Sequence, residues 1–141
     1  MFASRTSPTQ AYARVGAHTG VPDANPHQII LMLYEGALVC IAAANLRIQE
    51  GATAKKGEAI SMAMDIIIHG LKASLDMKAG GELAERLGAL YDYMTSRLLH
   101  ANMHNDTAAL DEVAQLLGII KSAWEEIAQD PAVLSVTRSA A

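Results

Sequence analysis

The chain has 141 residues, a net charge of −4 and a single cysteine, with 51% hydrophobic and only 4% aromatic residues. That length suits one domain that can bury a core without staples. The acidic balance provides no extended basic surface for phosphates and so argues against a nucleic-acid partner. Cys40 lies alone in an apolar stretch, where it reads as a small buried hydrophobe and fits a reducing compartment.

Packing falls to alanine, leucine, isoleucine and methionine, a palette that favours helices over strands. The predicted fold class is therefore all-α. Met1 to Ser7 carries no apolar run, so no secretory signal is expected there. Residues 1–25, with Pro8, Pro22 and few charges, read as a flexible N-terminal arm. Asn25 as N-cap and Pro26 at the first helical position open the first helix, which ends near Gly51. Within it, Ile29 to Leu46 carries one charge, Glu35. The stretch is near the lower limit of about 17–25 residues for a membrane span. Glu35 would sit near mid-membrane, and no basic cluster flanks the segment, so a soluble helix without stable membrane insertion is expected.

The second helix is predicted from about Ala54 to Lys78, stopping at Gly80-Gly81, and the third from Glu82 to Met103. Asn105 or Asp106 caps the fourth, which ends before Pro131. Short connections imply an antiparallel up-down four-helix bundle over residues 26–130, followed by a frayed tail at 131–141. The fourth helix has the cleanest stripe, Leu110, Val113, Leu117, Ile120, Trp124 and Ile127, with Asp111, Gln115, Ser122 and Glu126 facing water. In the third, Leu83, Leu87, Leu90, Met94 and Leu98 form the expected core stripe.

The first two helices carry more apolar surface than one face requires. Ile30, Leu33, Ala37, Cys40, Ile41, Ala44 and Ile48 supply a core face, yet Met32, Val39 and Leu46 fall nearly opposite it. Likewise Ile60, Met64, Ile67 and Leu71 face inward while Ala59, Met62, Ile66 and Ala73 line another side. Two readings fit this excess. The second stripes are covered by the chain itself or by a second copy in a homodimer, or they form a docking groove for another chain's amphipathic helices.

Catalytic and metal signals are weak. His100 and His104 share a face, but Ala101 stands where a zinc-protease motif needs glutamate. Asp65 and His69 do not make the Glu-x-x-His pair of di-iron bundles. Cys40 has no positioned base and Gly80-Gly81 is no phosphate loop. No enzyme activity, cofactor or metal is expected. A helical adaptor or regulator remains the alternative binding function.

Several boxes then appear in order. Met32-Leu33-Tyr34-Glu35-Gly36-Ala37 resembles the M-L-Y-[DE]-G-A box of flagellin export chaperones, the FliS family. Ser74-Leu75-Asp76 with Gly80-Gly81-Glu82, then Leu90-Tyr91-Asp92-Tyr93-Met94, resemble its later boxes. Arg97-Leu98, Ala101-Asn102 and Ala123-Trp124 continue the likeness, and Tyr12 with Thr19 matches its arm. Gly20 to Asn25 is longer than the family's usual link.

The resemblance implies a cytoplasmic helical chaperone that binds the C-terminal segment of flagellin, prevents premature polymerisation and delivers it to a component of the flagellar export gate. Tyr12 and Val15 are then candidates for a displaceable arm, and Met32, Val39, Leu46, Met62 and Ile66 for the groove. Tyr34, Tyr91 and Tyr93 are candidates to offer hydroxyls to a client backbone or to pack internally. Arg97 would pair with a client carboxylate or with one of its own chain, and Trp124 belongs to the core.

Overall fold

The structure is a computed structural model and describes residues 25–126. The arm candidates Tyr12 and Val15, Ile127 and the tail lie outside the described residues.

Helix α1 spans Pro26–Glu50. Asn25 caps it as expected: its side chain accepts from the Gln28 N–H at 2.8 Å, and Gln28 returns the bond to the Asn25 N–H at 3.0 Å. Gly51, at φ +73°, ends it in the left-handed conformation that glycine adopts without Cβ strain. After the short link Gly51-Ala52, helix α2 spans Thr53–Asp65. A π-helical turn follows over Ile66–Leu71, then a 3₁₀ turn over Lys72–Ser74. The α-helix expected to run on to Lys78 therefore changes form at Ile66 and ends at Ser74. Helix α3 spans Gly81–His104 and α4 Thr107–Glu126.

The Gly80-Gly81 pair opens α3, with Gly81 at φ +55°, and does not close α2. Asp76 folds the intervening loop by accepting the N–H groups of Lys78 and Ala79 at 3.1 and 2.9 Å. Asn105 and Asp106 divide their work. Asn105, left-handed at φ +52°, ends α3, while Asp106 accepts the Ala109 N–H at 3.2 Å and so caps α4.

Cross-links set the direction of three neighbouring pairs. Between α1 and α4, Asn45 donates to Asp111 at 3.1 Å and Trp124 donates its indole N–H to the His27 carbonyl at 3.3 Å. Numbers rise along one helix as they fall along the other, so the pair is antiparallel. The same holds for α2 and α3, through Lys56 to the Asn102 carbonyl at 2.8 Å and Lys72 to Asp92 at 2.7 Å. Arg97 to Glu112 at 2.8 Å and His100 to Asp106 at 3.1 Å join α3 to α4. The result is the expected antiparallel up-down four-helix bundle.

Leu33, Ala37, Ile41, Ala44, Ile60, Ile67, Met94, Leu98, Leu110, Val113 and Leu117 fill its core at 0–1% exposure. Burying a side chain of that size stabilises by roughly 1.5–3 kcal/mol. Trp124 joins them, as expected, with its ring stacked on His27 at 4.9 Å. The α3 stripe needs correction. Its buried face is Ala84, Gly88, Tyr91, Met94, Leu98 and Ala101, while Leu83 is 48% exposed. Small residues at the start of α3 permit close approach to the α2–α3 connection, where Leu75 lies against Gly88, and the larger leucines turn to the rim.

Two buried polar features were not foreseen. The hydroxyls of Tyr34 and Tyr91 meet across the bundle centre at 2.6 Å, from α1 to α3. Burial pushes the Tyr34 hydroxyl up to about 12, and drives that of Tyr91 well above its usual value. Lys56, 6% exposed, places its ammonium on the last turn of α3, donating to the Asn102 carbonyl and to Asn105 Oδ1 at 2.7 Å. A cation there meets the negative end of the helix dipole and two acceptors, which offsets its burial.

Candidate functional site

The outer face of α1 is apolar where solvent should meet polar side chains. Val39 is 59% and Leu46 47% exposed, and Ala42 between them is exposed as well. Spacings of three and four put the three on one face. Helix α2 packs antiparallel beside α1, and Gly70 abuts Leu33. That register brings Met62, 44% exposed, level with the middle of the α1 stripe. Charges stand at both ends of this stripe. Glu35 lies 4.0 Å from Lys121 at one, and Arg47 pairs with Glu50 at 2.6 Å at the other.

Three of the five expected groove residues, Val39, Leu46 and Met62, are thus at the surface. The other two are not. Met32 is 8% and Ile66 3% exposed, so both sit in the core of the free protein. Ile66 is still α-helical, with its N–H on the Met62 carbonyl, and it follows Ala63 by three residues and adjoins Ile67, both fully buried, so it lies at the edge of the core face. Met32 adjoins Leu33, which faces Gly70 of the π turn.

The tyrosines divide. The hydroxyls of Tyr34 and Tyr91 satisfy each other inside the bundle and are not offered to a client. Tyr93 is 44% exposed, and its hydroxyl donates to Glu112, which also receives the Arg97 guanidinium at 2.8 Å. Arg97 accordingly takes the intramolecular partner of its two expected options. The Tyr93 bond, and after it the one from Arg97, holds the Glu112 carboxyl below its usual range.

Exposed Leu99, Met103 and Ile119 escaped the sequence reading. Leu99 sits one residue after the buried Leu98, and Met103 and Ile119 two residues after the buried Ala101 and Leu117, so an angular plot of each helix would have flagged them. Among the described residues no three His, Cys, Asp or Glu side chains gather as metal ligands. Burial raises the Cys40 thiol, which disfavours the reactive thiolate. What this arrangement offers is apolar area with charged ends, suited to an amphipathic helix.

The family described as "Flagellar protein FliS" matches residues 8–131. This chain belongs to the FliS family. It is 48% identical over 118 residues to the flagellar secretion chaperone FliS of Salmonella typhimurium, covering 84% of this chain and 87% of the relative. With the flagellar secretion chaperone FliS of Escherichia coli it shares 40% identity over 126 residues, 89% of this chain and 93% of that one. The Bacillus subtilis flagellar secretion chaperone FliS is 33% identical over 123 residues, 87% of each chain. FliS chaperones are non-enzymatic, in keeping with the expectation drawn from the sequence.

The family boxes can now be read physically. Leu33, Tyr34 and Ala37 of the first box and Tyr91 and Met94 of the third are core residues, and the two boxes meet through the tyrosine pair. In the second box Ser74 donates to the Gly70 carbonyl inside the π turn, Leu75 is buried and Asp76 folds the loop. Much of the FliS signature therefore specifies the bundle.

Proposed function

We propose that this chain, as a cytoplasmic flagellar secretion chaperone, holds the C-terminal helical segment of flagellin on the outer face of α1 and α2. Flagellin is its secreted client and the cytoplasm its place of work. The observation that carries the reading is the exposed stripe of Val39, Ala42 and Leu46 beside Met62. Single exposed apolar residues are ordinary on a soluble protein, whereas a contiguous set marks an interaction site.

The mechanism is coupled folding and binding. The free client segment has amphipathic helices whose apolar faces would otherwise meet other flagellins. On the chaperone those faces bury against α1 and α2, which blocks premature polymerisation. Ordering the segment costs about 2–5 kcal/mol of the gross interaction, so the complex is specific and still releasable. Methionine at the contact tolerates repacking of the client.

An export-gate component is the second partner in this reading, since the client must be surrendered for passage. Without client, the same apolar face is available to a second copy of the chain, as a homodimer. Tyr12 and Val15 are proposed to lie against the same face before the client arrives.

Co-purification with flagellin tests the reading. Full-length flagellin is retained, and flagellin lacking its C-terminal segment is lost. Equal retention of both would move the contact elsewhere on the client.

A further inference from the structure

The seam between α3 and α4 carries a second apolar face, separate from the α1–α2 stripe. Arg97 of α3 and Glu112 of α4 meet across this seam at 2.8 Å, and Tyr93 donates to the same carboxylate. Leu90 and Leu83 stand seven and fourteen residues before Arg97, so they share its side of α3. Leu116 and Ile119 stand four and seven residues after Glu112, on its side of α4. The helices are antiparallel, so these leucines and Ile119 lie side by side, with Ala123 one turn nearer the end of α4. Ile119 is 61% and Leu83 48% exposed, Ala123 is exposed, and Leu90 and Leu116 are half-buried. Arg86, beside them, is tied to Glu82 of its own helix at 2.6 Å.

What can reach this face follows from where α4 ends. Fifteen residues, 127–141, come after Glu126. They leave the bundle at the end where α3 begins, beside Leu83. Although the chain carries a net charge of −4, residues 131–137 have none and include Val133, Leu134 and Val136. Pro131 suits a reversal of direction, because proline does not continue a helix. Residues 127–130 add about 6 Å beyond Glu126 if helical, and an extended return over 132–136 covers roughly 16 Å. The return therefore passes Glu126 by about 10 Å, which is the level of Ile119, seven residues back along α4.

We propose that residues 132–136 fold back over the α3–α4 face as a strap. Leu134 and Val136, two residues apart, share one face of an extended chain and cover Ile119 and Leu90. Tethering makes so short an apolar contact sufficient, since a short linker holds the segment at a millimolar effective concentration. Covering this face keeps it from client helices and from second copies of the chain, and leaves the α1–α2 stripe open.

Methyl NMR of the full chain, labelled at isoleucine, leucine and valine, tests the strap. Contacts are expected between the Leu134 or Val136 methyls and those of Ile119, independent of protein concentration. Ile119→Asp, at an exposed position, should abolish them and speed amide exchange over residues 132–136 about tenfold or more. Contacts that pass between labelled and unlabelled copies in a mixture would give the face to a second copy and overturn the strap. Their loss on adding a flagellin C-terminal peptide would give the face to the client and overturn it too. No contacts in the free protein, with residues 132–136 indifferent to Ile119→Asp, would leave the segment off the bundle and refute the proposal.

Discussion

Helices α1 and α4 are both rich in apolar residues and treat water differently. In α4 the large side chains Leu110, Val113, Leu117 and Trp124 are buried, and Asp111, Gln115, Ser122 and Glu126 face outward. Its one large apolar exception, Ile119, stands between those polar positions. In α1 an equally well-buried face, from Ile30 to Ala44, is backed by Val39, Ala42 and Leu46 in solvent. The helix is even long and apolar enough to cross a membrane, by length and composition. A helix serving only the fold needs one apolar face, as α4 illustrates. The exposed part of the second face of α1 exceeds the one apolar face that the bundle requires, and we propose that it meets a partner.

Substitutions on the two helices sharpen that contrast. The largest loss of stability is expected from Leu117→Ala in α4. Leu117 is fully buried, and truncation there should cost about 2–5 kcal/mol by denaturant unfolding. Client affinity at a temperature where the variant is folded should be unchanged. A small effect would mean that the α4 stripe is looser than its burial implies.

Tyr34→Phe comes next. It leaves the Tyr91 hydroxyl buried without its 2.6 Å partner, which should cost roughly 1–3 kcal/mol. Replacing both tyrosines by phenylalanine should cost less than the two single changes added together, since no hydroxyl is then stranded. Additive losses would argue that the pair is not a coupled unit. The same pair carries an alkaline signature. Tyr34 titrates at about 12 when folded against 10.0 for the free side chain, so its proton is held more tightly in the native state. That stabilisation is intact below pH 10.0 and is lost as pH rises toward about 12. Unfolding measured along that pH range should show a shallower decline in Tyr34→Phe than in the parent.

A smaller effect belongs to Glu112. Its carboxyl is held low by Tyr93 and Arg97, so the pairing favours the fold above the ordinary glutamate range and fades as pH falls through the depressed value. Arg97→Ala should flatten that acid dependence slightly, because surface pairs contribute little. A large loss of client binding in this variant would instead assign Arg97 to the contact.

The fold was largely legible in the sequence, and for identifiable reasons. Asn25-Pro26, Gly51 and Asn105-Asp106 are strong local punctuation, and the α4 stripe has an unmistakable helical period. The start of α3 misled because Leu83 and Leu87 look like core while Ala84 and Gly88 hold the close contact. Hydrophobicity alone does not reveal that proximity selects small residues. The π turn left no periodic signal either, since Ile66-Ile67-Ile68 is apolar in any register. Ile66 follows Met62 by one α-helical turn, so periodicity groups the two, and only the packed bundle separates their exposure. The tyrosine pair joins residues far apart in sequence, so only the assembled bundle shows it.

The most direct test of the central claim is Val39→Asp, compared with the parent in two assays. Val39 is 59% exposed, so the carboxylate meets water in the free protein and unfolding should shift by no more than about 0.5 kcal/mol. Binding of the flagellin C-terminal segment should fall at least tenfold, about 1.4 kcal/mol, because the charge would be desolvated under the client. Normal stability with lost binding is the predicted result. Unchanged affinity in a folded variant would contradict the account and leave the outer face of α1 without the client that explains it.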